Sequence, residues 1–214
     1  MAPKMADCDR EEKYPSEIVA KMGELGWLGG VIPEEYGGAG LDFTTLVAGV
    51  EEISKVDVAL GSVMGRASGL VGSALLQYGT EEQKKKYLVP LASGAIGGGT
   101  AVTEPHSGTD VAAMETTARR EGDYYYLNGA KGWITGIGLV NWFLTFAVTD
   151  KSKGRKGITA FIVDVDSPGY SAKLYKNKMG FRLSQTGELI FEDCRVPASN
   201  VLGEEGQGLR EDRA

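Results

Sequence analysis

The run TEEQKKKYLVPLASGAIGGGTAVTE, Thr80 to Glu104, changes character in its middle. Thr80 followed by Gln83 is a capping-box signature, in which a hydroxyl and a side-chain amide satisfy the first free backbone groups of a helix. The spacing predicts a helix over 81–91, with Gly94 beyond its end. After Gly94 the chain turns to β-branched and aromatic runs broken by frequent turn signals, the pattern of an antiparallel sheet system. The fold class read from this junction is α+β. An N-terminal helical domain is expected over 1–94 and an antiparallel β-domain, barrel-like or sandwich-like, over 95–208, with 209–214 as the start of something further.

N-terminal to the junction, Ile18, Val19, Met22, Leu25 and Leu28 recur at helical spacing, and Gly29-Gly30 is read as the stop. The glycine-rich loop EEYGGAG follows at 34–40. A second helix is expected over 44–56, with Leu46, Val47, Val50 and Ile53 on one face. From Asp57 to Tyr78 hardly a charge interrupts Ala, Leu, Met, Ser and Gly except Arg66, which predicts a helix buried on most sides. C-terminal to the junction, strands are expected over 98–103, 115–121, 124–127, 131–134, 142–149, 158–164 and 188–192. Gly122-Asp123 and Asn128-Gly129 are read as turn pairs and the basic run 151–156 as a solvated hairpin loop.

Composition narrows the function classes. With 29 acidic against 23 basic residues the net charge is -6, and no basic run exceeds Lys84 to Lys86, so nucleic acid is not an expected partner. No apolar stretch is read as long enough to span a bilayer, and the charged start over 1–12 lacks a signal-peptide core; cytoplasm or an organelle matrix is the expected compartment. Cys8 and Cys194 fall in no metal-ligand or disulfide spacing, and no metal site is expected. They are read as one exposed and one half-buried thiol.

Two segments carry chemistry. AVTEPHSGTDVAA, Ala101 to Ala113, sets Thr103, Ser107 and Thr109 as donors around Gly108, where backbone can come close to a phosphate or a ring edge. The same residues also suit a turn whose polar groups satisfy only one another. In GAKGWITGIG, Gly129 to Gly138, Trp133 and Thr135 sit on a short strand: a core tryptophan, or an aromatic plane against a flat heteroaromatic cofactor with a hydroxyl beside it. His106 lies in a loop and is free to face a site. No GxGxxG turn is present, so any nucleotide cofactor is held otherwise than in a Rossmann fold.

Taken together, Val102-Thr103-Glu104-Pro105, Gly108-Thr109-Asp110 and Trp133-Ile134-Thr135 resemble the flavin-binding segments of the acyl-CoA dehydrogenase family. The likeness extends to EEYGGAGLD, TEEQKKKYL and FEDCRVPASNVLGEEGQG, and so covers about 14–208. It implies FAD as cofactor and an acyl-CoA thioester as substrate, oxidised to the 2-enoyl-CoA with electrons passed to an electron-transfer flavoprotein. On this resemblance Thr100, Ala101, Val102, Thr103, Gly108, Thr109, Trp133, Ile134 and Thr135 bind the cofactor. Val102 and Thr103 meet the pyrimidine side of the ring, Trp133 covers one face, Thr135 lies near the hydride-accepting nitrogen, and Thr109 also touches substrate.

Glu104 and Asp110 orient the loop and neither is the base, and the His106-Ser107 pair, where the family favours small residues, is read as solvent-facing variation. No role is carried onto 168–180. The family's catalytic glutamate belongs to a C-terminal helical domain, and Glu211 matches no such context. The chain is therefore expected to be a fragment lacking that domain and an N-terminal helix before Tyr14, and to be inactive alone. The complete protein is expected to be a homotetramer or homodimer. An acyl-CoA oxidase or flavin monooxygenase on the same scaffold, and a non-catalytic binding subunit of a hetero-oligomer, remain alternatives.

Overall fold

The structure, a computed structural model, describes residues 2–209. The expected further domain at 209–214, Glu211 included, therefore lies beyond Leu209 outside the described residues. Two compact units are present: Met1–Gly98 with Tyr175–Gln185, and Gly99–Leu174 with the chain from Thr186 on.

The first unit is helical. Helix α1 spans Ala2–Arg10, which corrects the expectation that no helix precedes Tyr14. Helix α2, Ser16–Glu24, stops earlier than Gly29-Gly30, because Gly26 takes a left-handed φ of 76° and the chain re-forms as a short 3-10 turn at Trp27–Gly29. Helix α3, Phe43–Ser54, is capped by Asp42, whose carboxylate accepts the Thr45 N–H at 2.8 Å. The capping box at Thr80 is formed, and the helix it opens continues to Ala92. Its middle, Lys84–Leu88, is wound as a π-helix.

The helix Val58–Tyr78 has 21 residues and a mean hydropathy of 1.3 over its most apolar window, so by length and composition it reaches what a bilayer span needs, contrary to expectation. More than half of that window (56%) is buried inside the protein, the character of a core helix. Both cysteines are buried, so neither thiol is exposed or half-buried as expected.

Close backbone contact shapes the loop before α3. A Cβ on Gly38 would lie 1.9 Å from the carbonyl oxygen of Ile32, and no rotamer relieves a clash with backbone. Gly38→Ala is expected to destabilise by about 3 kcal/mol, as overpacking does. In urea the midpoint should fall at constant slope; a change within about 0.5 kcal/mol would show that the loop yields freely.

The second unit is one sheet of β1 Gly98–Ala101, β2 Thr117–Glu121, β3 Tyr124–Thr135, β4 Trp142–Val148, β5 Ile158–Asp164, β6 Tyr170–Leu174, β7 Thr186–Pro197 and β8 Val201–Leu202. The order is β6-β7-β3-β2-β4-β5-β8, with β1 pairing β4, and the path runs open from β6 to β8. The described ladders are antiparallel except for a single parallel bridge, Thr117 to Val148, between β2 and β4. Leu127, Phe143, Phe161, Val163, Leu189 and Val196 form the centre of its core, each fully enclosed.

Gly122-Asp123 is the two-residue turn joining β2 to β3. Asn128-Gly129 is not a turn: the expected strands over 124–127 and 131–134 are one strand, and the pair lies opposite a bulge in β7, where Glu192 and Asp193 together face Asn128. The reason is packing. A Cβ on Gly129 would lie 2.8 Å from the Thr116 Cα, and Asn128 is tied across the ladder to Asp193, donating from its amide and accepting the Asp193 N–H, each at 2.9 Å.

Candidate functional site

The β3–β7 ladder has a second irregularity, this one on β3, that places the site. Between Lys131 and Ile134 its register against β7 shifts by one residue, so Gly132 and Trp133 together face Glu188. Trp133 absorbs the extra residue by taking φ 60°, a left-handed conformation that costs a non-glycine residue roughly 1–2 kcal/mol. Its side chain is 67% exposed, while the next residue, Ile134, is buried in the core. Thr135 follows half-buried, its hydroxyl 3.5 Å from that of Thr186 on β7. The bulge thus holds a broad aromatic surface and a hydroxyl on the face of the strand turned away from the core.

The loop leaving β1 is tied to this same stretch. The Gly132 N–H donates to the Thr103 carbonyl at 2.9 Å, and the Lys131 ammonium donates to the Val102 carbonyl at 3.1 Å. A Cβ on Gly99 would lie 3.4 Å from the Thr135 carbonyl oxygen, which extends the close approach along β1. The two segments singled out in the sequence therefore meet, although β1 takes its ladder bonds from β4.

Among the predicted binding residues, Thr100, Val102 and Thr103 are half-buried. Ala101 and Ile134 are core side chains that can offer only backbone groups to a ligand. Gly108 and Thr109 lie exposed at the outer part of the loop, and no described hydrogen bond ties either to the Trp133 strand. A Cβ on Gly108 would meet nothing within 4 Å, so its backbone is open to close approach.

The loop is braced from within by a pair of which the sequence reading singled out only Glu104, as a residue that orients the loop. Glu104 is 3% exposed, and its carboxylate accepts N–H groups from Glu115 at 2.6 Å and Thr116 at 3.0 Å. It also pairs with Lys131 at 2.8 Å, and Lys131 is fully buried. Burial alone would push the Glu104 carboxyl up, but the two amides and the ammonium outweigh it and hold the carboxyl below its usual range. Burial pulls Lys131 down, and Glu104 opposes that pull.

Ser107 is buried, donating to the Asp110 carbonyl at 2.5 Å, so the expected solvent-facing variation holds for His106 and fails for Ser107. The exposed His106 places Nε2 at 3.6 Å from Glu104 and 3.4 Å from Glu115. The available signal for Lys131 was a lysine within an apolar strand, one strand away from a lone carboxylate. Lys131 points inward in phase with Tyr125 and Leu127 on β3, and pairing it with Glu104 needed the folded path of the loop after β1.

A flat heteroaromatic cofactor fits these residues on the structure's own terms. A strained backbone spends its energy displaying an indole to solvent, a half-buried hydroxyl stands two residues on, and open glycine backbone lies on the adjoining loop. Among the described residues no cluster of three His, Cys, Asp or Glu side chains offers a metal site.

Comparison with known proteins gives the following. Residues 1–95 match the family described as Acyl-CoA dehydrogenase, N-terminal domain, and residues 99–194 match Acyl-CoA dehydrogenase, middle domain. The chain is 46% identical over 207 residues to the short-chain specific acyl-CoA dehydrogenase of Clostridium acetobutylicum, covering 97% of this chain and 55% of that protein. It superposes with TM-score 0.93 and 45% identity on a chain in the structure of the electron transferring flavoprotein of Acidaminococcus fermentans, covering 97% of this chain and 55% of that one. A Mycobacterium smegmatis glutaryl-CoA dehydrogenase in complex with FADH2 superposes with TM-score 0.89 and 34% identity, covering 96% of this chain and 52% of that one. The chain thus spans about half the length of the relatives it matches.

Proposed function

The chain belongs to the acyl-CoA dehydrogenase family, and from that premise we propose that it supplies the helical and flavin-facing parts of an FAD-dependent enzyme that converts an acyl-CoA thioester to the 2-enoyl-CoA. The observation that carries this reading is the exposed Trp133 on its strained bulge, tied through Gly132 to the Thr103 loop. Trp133 would stack on the ring system, Thr135 would donate its hydroxyl to a ring nitrogen, and backbone groups of Val102 and Thr103 would meet the polar edge. Ala101 and Ile134 would contribute backbone alone and the half-buried Thr100 would line the cofactor beside them, while Gly108 and Thr109 would border the cofactor's phosphates, Thr109 also touching the acyl-CoA. When bound, the flavin supplies the acceptor for the β-hydrogen as hydride.

The chain's own residues bind, orient and screen. Removal of the α-proton is assigned neither to Glu104 nor to Glu205. Glu104 is enclosed and occupied by two amides and an ammonium, and Glu205 accepts the Tyr125 hydroxyl. The base in this reading is a glutamate outside the 214 residues, in the half of the relatives' length that the chain does not span. An electron-transfer flavoprotein is the proposed acceptor, in keeping with the Acidaminococcus likeness. Assembly as a homodimer or homotetramer, in a bacterial cytoplasm or a mitochondrial matrix, belongs to the same reading.

The test is anaerobic mixing of the native flavin-loaded protein with a panel of acyl-CoA thioesters, headed by short straight chains because the Clostridium relative is named short-chain specific. Bleaching of the flavin band with formation of enoyl-CoA is expected. A native protein that binds FAD and is bleached by no acyl-CoA would sink the dehydrogenase reading. Rapid reoxidation by oxygen after bleaching would move the assignment to an oxidase.

A further inference from the structure

We propose that Lys131, held by Glu104, is a positioning residue that turns the Val102–Thr103 peptide and strengthens the Thr103 N–H as a donor toward the flavin; the inference rests on the flavin reading above. A peptide unit is planar and trans, so its C=O and N–H point in opposite directions. The Val102 carbonyl is drawn inward by a fully buried ammonium at 3.1 Å, and the N–H of the same peptide, that of Thr103, is thereby aimed away from Lys131. Among the described residues that N–H donates to no acceptor. The next peptide is fixed as well, its carbonyl accepting from Gly132 at 2.9 Å and its N–H donating to Ser107 at 2.8 Å, so the Thr103 N–H has little freedom to swing.

Glu104 makes this arrangement rigid at both ends of the loop. One carboxylate holds Lys131 at 2.8 Å, the Thr116 N–H at 3.0 Å and the Glu115 N–H at 2.6 Å, so the chain entering the loop at Val102 and leaving it at Thr116 is gathered on a single ion pair. Inside a protein a cation on the carbonyl side of a peptide polarises the unit and makes its N–H a better donor. A ring edge that gains negative charge on reduction would feel that donor more in the reduced than in the oxidised state. Lys131 would thus act on the cofactor through one peptide, without touching it.

The experiment compares native flavin-loaded protein with Lys131→Met, measuring the two-electron midpoint potential and the visible spectrum of the bound flavin alongside circular dichroism. The expected change is about tenfold in the ratio of affinities for reduced and oxidised flavin, read as a fall of about 30 mV, together with a shifted flavin band at unchanged fold. A folded Lys131→Met protein with parental potential and spectrum overturns the proposal while leaving the flavin reading intact, whereas native protein that takes up no FAD removes both. If Lys131→Met does not fold, Lys131→Met/Glu104→Gln, which leaves no unbalanced buried charge, is measured in its place. Failure of both to fold would assign the pair to the fold alone and overturn the proposal.

Discussion

Replacing Trp133 by glycine is expected to strip the native protein of most of its flavin while leaving it as stable as the parent, or more stable, in the flavin-free state. Two opposed effects meet at this residue. The backbone at φ 60° suits glycine and strains any side chain, so the change relieves roughly 1–2 kcal/mol. The indole is 67% exposed, so its removal opens no core cavity. Against that, the aromatic surface offered to the ring is lost, and stacking of this kind is worth about 1–3 kcal/mol, or roughly five- to 150-fold in affinity. Trp133→Ala should lose flavin to a similar degree without the gain in stability, because alanine keeps most of the strain. Thermal unfolding of flavin-free protein and FAD titration separate the two effects. A glycine variant that melts well below the parent would show that the indole is structural.

The second large effect is expected at Glu104. Glu104→Ala leaves an enclosed ammonium without its counter-charge and two amides, those of Glu115 and Thr116, without their acceptor. Breaking a buried pair from one side costs about 3–5 kcal/mol, which is a large part of the stability of an ordinary domain. The dependence on acid has a definite sign. The folded carboxyl lies below its usual range, so its contribution is fully present above the unfolded value, near 4.5, and is lost as pH falls through the lower folded value. Acid unfolding of the parent should therefore steepen below about pH 4.5. Glu104→Gln, with nothing to titrate there, should start less stable at neutral pH and fall less over that range. Parallel acid curves for the two proteins would place the acid sensitivity elsewhere.

Local chemistry explains what could be read from residues alone. The capping box at Thr80, the Gly122-Asp123 turn and the strand over 158–164 declare themselves within a few residues, and each stands where its pattern put it. The misreadings fall where a distant residue decides. Asn128-Gly129 has the composition of a hairpin turn, yet Thr116 packs against Gly129 and Asp193 answers Asn128, so the chain runs straight through. The strand over 170–174 escaped notice because its three middle residues, Ser171 to Lys173, are all exposed at the sheet edge and carry no hydrophobic rhythm. The candidate site shows the same division. Thr103, Trp133 and Thr135 were found by motif, but the motif says nothing of Lys131, whose role emerges only when the fold brings the inward face of β3 against Glu104.

The assignment of Tyr175–Gln185 to the helical unit, although this segment joins β6 to β7, bears on the order of events during synthesis. Arg182 there grips Asp9, its guanidinium 2.6 Å from the carboxylate, and its backbone N–H bonds the same side chain. Helix α1 therefore waits for a partner that leaves the ribosome some 170 residues later, on the order of 10–30 s at ordinary elongation rates. In that interval six strands of the sheet unit, β1 to β6, have already been made, so the helical unit is completed only after most of the sheet has been synthesised. A ribosome stalled shortly after residue 98 would carry helices not yet able to close, and such a nascent chain should be more readily cut by protease than one stalled well beyond residue 185.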